Sequence, residues 1–157
     1  MALLTWLEST AYSEWILVSA VGWPLMLCTH AIGLAIIVGI VFSVDLRLLG
    51  LYKTIPYTAL DKILAFAWIG FALNLFTGVS LYMTQASSYT ENIPFLIKIT
   101  LIALGTVNLY KMQKTLRQDA ESWEAAQAVP DVGRQLAISS LVFWTIAVVT
   151  GRLIAYL

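Results

Sequence analysis

The chain has 157 residues, of which 60% are hydrophobic and 11% charged, and its mean hydropathy is +0.83. A soluble domain carries about a quarter charged residues, so a water-soluble globule is excluded. Nine Lys and Arg balance nine Asp and Glu, which leaves no net charge to recruit nucleic acid, and the lone Cys28 excludes an internal disulfide or a cysteine-rich metal site.

Residues 1–23 carry two short apolar clusters, Leu3 to Leu7 and Trp15 to Val18, separated by Ser9-Thr10-Ala11-Tyr12-Ser13-Glu14. Neither is long enough to span a bilayer. They read as one or two helices in the periplasmic interface, with Trp6, Trp15 and Trp23 at headgroup level; a short fifth crossing is the competing reading. No Lys or Arg precedes Arg47, so the segment lacks the basic start of a secretory signal and is expected to be retained, although Val18-Ser19-Ala20 loosely resembles a cleavage site.

A spanning helix needs about 20 mostly apolar residues. Four stretches qualify. The first covers 24–51 and opens on Pro24, a residue suited to a first helical turn. The second covers 62–83, after the capping-box pattern Thr58-Ala59-Leu60-Asp61. The third covers 94–110 and continues as a polar helix to about 128, because no breaker precedes Pro130. The fourth covers 134–157. The fold expected is an all-α integral membrane protein, a four-transmembrane-helix bundle with an N-terminal interfacial helix, occupying 24–157 as one domain.

Basic residues set the orientation. Arg47, Lys53 and Lys62 flank the first connection, and Lys111, Lys114, Arg117 and Arg134 flank the third. The 84–93 connection and the N-terminal segment have none. The positive-inside rule then places both termini outside and the two basic connections in the cytoplasm.

In that topology three groups share one depth in the outer leaflet. His30, the only histidine, lies six residues after Pro24, about 9 Å along the helix axis. Lys98 is four residues into the third span, and Arg152 is five residues from the chain's end. A charge in hydrocarbon costs at least ~2.5 kcal/mol. Lys98 and Arg152 therefore either snorkel to headgroups or bind an anionic group such as the propionates of haem. His30 has three readings: a hydrogen-bonded neutral side chain, a haem ligand, or a copper ligand with Met26 one turn away. Cys28, two residues and about 200° from His30, is expected to point the opposite way. With one histidine per chain, a bis-histidine haem within the chain is impossible.

In the inner leaflet, Asp45 and Arg47 are expected to pair with neighbours or with each other's surroundings, and Asn108 there and Asn74 near the midplane to serve as interhelical glue. Small residues recur at four-residue spacing: Ala31, Ala35, Gly39 and Ser43; Gly70, Asn74 and Gly78; Ala137, Ser140, Trp144, Ala147 and Gly151. Such rows let helices approach closely in lipid. In the third span, Lys98, Leu101, Gly105, Asn108 and Met112 share a face, which favours an inward lysine. No phosphate loop, H-E-x-x-H or G-x-S-x-G motif is present, so an independent enzyme is not expected.

Trp23-Pro24, His30-Ala31-Ile32-Gly33, Asp45-Leu46-Arg47-Leu48-Leu49-Gly50, Thr77-Gly78, Phe95 with Lys98, and Gly151-Arg152 with Tyr156 together carry a resemblance. From Trp23 onward the chain resembles a functionally unassigned family of small bacterial four-helix inner-membrane proteins. That resemblance implies the fold and a bacterial inner membrane, but no reaction. The architecture is also loosely similar to cytochrome b561-like and copper-resistance membrane domains, although the several histidines of the cytochromes are missing.

The function expected first is a membrane redox or cofactor-binding protein, with haem b on His30 and with Lys98 and Arg152 near the propionates. The alternatives are a copper-handling or small-solute membrane protein in which the same outer cluster binds a metal (His30 with Met26) or an anion, and a structural accessory subunit. The partners expected are the lipid bilayer, further copies of the chain in a homo-oligomer and a redox protein.

Overall fold

The structure is a computed structural model that describes residues 2–154 and Tyr156. The described residues form seven helices and no strand: α1 Ala2–Glu8, α2 Ala11–Val18, α3 Gly22–Leu48, α4 Tyr57–Thr84, α5 Ala86–Glu91, α6 Ile93–Ala126 and α7 Asp131–Leu153. Four of them, α3, α4, α6 and α7, are long and apolar enough to cross a membrane. The protein is an all-α, multi-pass membrane protein built as a four-helix bundle. Its outer surface agrees, since side chains such as Phe66, Ile69 and Phe76 are more than 60% exposed. Such a surface is unfavourable in water and natural against lipid tails.

The helix starts reflect local chemistry. Asn92 caps α6 by accepting from the Phe95 N–H at 2.9 Å, with Pro94 in the first turn. Helix α4 begins at Tyr57, five residues before the start expected at 62, and the 58–61 capping pattern is not used. Glu124, near the end of α6, accepts the Tyr57 N–H instead. A long-range acceptor has replaced the local one, and α4 is correspondingly longer.

Helix α3 packs mainly on α4, and α6 on α7, with looser contact between the two pairs. Glycine explains the close approach of α3 and α4. A Cβ on Gly70 would lie 2.8 Å from the Ile37 backbone nitrogen, and one on Gly33 would lie 3.0 Å from that of Asn74. Only hydrogen fits at either position, as small-residue packing in lipid requires. The seam on α3 thus runs through Gly33, Ile37, Val41, Val44 and Leu48, while Ala31, Ala35, Gly39 and Ser43 are exposed. Small size alone did not tell which of two rows faces the partner.

In α6 and α7 the expected faces do meet. The Trp144 ring lies over Gly105, where a Cβ would be 3.1 Å from it. Asn108 donates to Ser139 Oγ at 2.6 Å, and Trp68 donates to Gln113 Oε1 at 2.8 Å to tie α4 to α6. The main core cluster draws on Ile37 to Leu48, Tyr57 to Ala67, Leu109 to Val129, and Ala137 with Trp144. Of these, Ile37 and Trp144 also reach the wall of the cavity that His30 lines.

Helices α1 and α2 are docked onto the His30 end of the bundle. Tyr12 Oη and Ser80 Oγ are 2.9 Å apart, Ser13 Oγ contacts the Met83 carbonyl at 3.3 Å, and Glu8 accepts the Ser87 N–H at 2.7 Å. Ile16 is fully buried.

Candidate functional site

His30 sits on the third turn of α3, opposite α4. Its Nδ1 is 2.9 Å from Thr77 Oγ1, and that hydroxyl lies 2.8 Å from the Leu73 carbonyl one turn back. A hydroxyl has one proton. When it satisfies the Leu73 carbonyl, Nδ1 must be the donor to Oγ1, and Nε2 keeps its lone pair. This is the arrangement by which a neighbour selects the tautomer of a ligating histidine. Asn74 Nδ2 donates to the His30 carbonyl at 2.9 Å, so α4 holds both the side chain and the backbone of this residue. Gly78 leaves room beside the ring, because a Cβ there would lie 3.3 Å from His30 Cε1.

His30 opens into a cavity of about 790 Å³ between the α3–α4 and α6–α7 pairs. That volume lies in the range of small-molecule and cofactor sites. Its wall is mostly apolar and includes Leu34, Phe71, Ile102 and Val148; Lys98 and Arg152 line it as well. Lys98 lies over Gly151, where a Cβ would be 3.3 Å from Nζ. Neither Lys98 nor Arg152 forms an ion pair or hydrogen bond among the described residues; the ion pair recorded there joins Arg117 to Asp61. The structure therefore brings His30, Lys98 and Arg152 to one apolar chamber, with neither cation paired among the described residues.

Met26 is buried and does not line this chamber. Cys28 does line it, contrary to its expected direction, because the wide mouth reaches around the exposed side of α3. Among the described residues, no cluster of three or more His, Cys, Asp or Glu is placed to hold a metal ion.

An aromatic trio at the mouth was not anticipated. Phe95 stacks on Tyr82 and on Tyr89, with centroids 5.6 and 5.3 Å apart, and Tyr82 Oη meets Thr90 Oγ1 at 3.0 Å. Tyr82, Phe95 and Thr90 are in the cavity wall. The signal for it was the aromatic residue at each end of the 84–93 connection, which α5 folds together.

Asp45 and Arg47 do not pair. Asp45 is fully buried with the Ser140 hydroxyl as its polar neighbour, and among the described residues neither side chain has a hydrogen bond of ordinary geometry. Arg47 turns the other way: its Nε donates to the Ile55 carbonyl at 2.5 Å, and its guanidinium lies 3.9 Å over the Tyr57 ring.

A four-helix membrane bundle with one histidine-bearing internal chamber is the class that fold and site define. Residues 6–157 match a family described as a family of unknown function, DUF6644, and the chain belongs to that family. No curated protein and no solved structure matches it.

Proposed function

We propose that this protein is a membrane cofactor-binding protein whose chamber holds haem b and serves electron transfer or sensing. The observation that carries the reading is the convergence of His30, Lys98 and Arg152 on one apolar cavity. The residues fit the group in kind: His30 Nε2 would ligate the iron, Lys98 and Arg152 would meet the propionates, and Leu34, Phe71 and Ile102 would face the macrocycle. When bound, haem supplies one-electron chemistry at its iron.

The chain's own residues do the rest. Thr77 keeps Nε2 unprotonated and aimed. The apolar wall excludes water, and the two cations compensate carboxylates in a medium of low dielectric. Copper on His30 and Met26 is the other cofactor expected, and no observation favours it, since Met26 lies outside the cavity wall. With one histidine per chain, His30 would be this chain's only histidine toward the iron, and a homo-oligomer would let another copy contribute a second. We place the protein in a bacterial inner membrane with both termini periplasmic, and with a redox protein as its partner. The lack of any Lys or Arg in the 84–93 connection and in the segment before Arg47 supports that orientation.

Titrating haemin into the detergent-purified protein tests the reading. One equivalent per chain should bind with a shifted Soret band, and His30→Ala should abolish the shift. A spectrum identical to that of haemin in detergent alone would reject it.

A further inference from the structure

At the opposite end of α3, about 25 Å from His30 at 1.5 Å per residue, a second cavity of about 280 Å³ opens between the α3–α4 connection and the α6–α7 connection. Three cationic side chains line it: Arg47, Lys53 and Arg134. No carboxylate does. The nearby Glu124 is already occupied by the Tyr57 N–H and by Gln127.

Arg47 is the informative member. It is only 4% exposed, yet no carboxylate pairs with it among the described residues. Its Nε and its ring-stacking face are used by Ile55 and Tyr57, and neither terminal nitrogen has a hydrogen-bond partner among the described residues. A buried guanidinium fixed on one edge and one face leaves its remaining donors aimed in a set direction. Lys53 and Arg134 are exposed and likewise form no ion pair among the described residues. Simple positive-inside bias explains basic residues in loops, but it does not explain a buried arginine without a counter-ion in a cavity shared with two more cations.

We infer that Arg47, Lys53 and Arg134 form a binding site for a phosphate group, supplied by the headgroup of an acidic phospholipid. Arginine matches the geometry of phosphate oxygens, and lysine adds a point charge. The depth fits a lipid source: Arg47 lies in the last turn of a membrane-spanning helix, and Leu51 and Tyr52 beside it are exposed apolar residues. Basic pockets between helices at this level are where acidic headgroups bind. The inference is independent of what His30 holds.

The test uses the delipidated full chain in an uncharged detergent, with native mass spectrometry following dioctanoyl phosphatidylglycerol. One lipid should bind saturably per chain, in preference to dioctanoyl phosphatidylcholine. Lys53→Gln with Arg134→Gln, both at exposed positions that leave the contacts of Arg47 intact, should weaken binding about thirtyfold. Lys111→Gln with Lys114→Gln, at exposed residues outside the cavity, should leave it unchanged. Equal binding of the two lipids, or wild-type affinity in the Lys53/Arg134 variant, would overturn the site. Displacement of the lipid by millimolar inorganic phosphate would overturn the lipid source and assign the same three residues to a soluble phosphate compound.

Discussion

His30 Nδ1 and Thr77 Oγ1 lie 2.9 Å apart across the α3–α4 interface, and the Thr77 hydroxyl also reaches the Leu73 carbonyl at 2.8 Å. One proton on the hydroxyl cannot serve both; when it goes to the Leu73 carbonyl, His30 is a donor at Nδ1 and a ligand or acceptor at Nε2. The position of a single hydroxyl on α4 thereby sets the chemistry of the only histidine.

Replacing Thr77 with Val removes that acceptor while keeping the branched shape. Losing the partner that orients a ligating histidine typically costs about 10–100-fold in affinity. Haem affinity should fall by that order in Thr77→Val, with the thermal midpoint of the apo-protein little changed. Thr77→Ser should retain most of the affinity. Spectrophotometric titration of the three proteins checks this.

The two cations should contribute unequally. Lys98 is half-buried against Gly151, whereas Arg152 is exposed at the cavity rim. Charge-assisted hydrogen bonds contribute about 1.5–3 kcal/mol when shielded from water, and exposed pairs far less. Lys98→Gln should weaken haem binding by roughly tenfold or more, and Arg152→Gln by less. Equal effects would mean that both cations meet the ligand equally shielded from solvent, against the burial seen here.

Filling the chamber should separate binding from folding. A Cβ on Gly151 would meet only the flexible end of Lys98, at 3.3–3.4 Å. Gly151→Leu should displace that lysine and occupy cavity volume. Haem binding should be lost while helicity by circular dichroism stays at the wild-type level.

Helix packing makes a matched pair of expectations on one helix pair. Gly70→Val would force a Cβ onto the Ile37 backbone at 2.8 Å, and overpacking of this sort costs about 1–3 kcal/mol. Its thermal midpoint in detergent should drop by several degrees. Gly39→Ala, where nothing lies within 4 Å, should leave the midpoint unchanged or slightly raised.

Hydropathy made the four spans legible, because a bilayer demands long apolar runs and little else in this chain competes with them. The shared depth of His30, Lys98 and Arg152 was also readable, since helix rise converts residue count into height. Rotation about the helix axis was harder. Gly33 and Gly39 look alike in sequence, and only the fit against Gly70 and Asn74 decides which is buried. The docking of α1 and α2 was invisible for a related reason: Tyr12 with Ser80 and Glu8 with Ser87 are pairings between distant segments, and they leave no local periodicity. The start of α4 shows the same limit, with Glu124 taking a donor that a nearby capping pattern was expected to satisfy.

The visible spectrum of the wild-type chain, purified in mild detergent from haem-replete cells, tests the central claim most directly. A Soret band with near-stoichiometric haem b by pyridine haemochrome assay is expected, absent in His30→Ala purified alongside. A colourless, folded wild-type protein from those cells would contradict it.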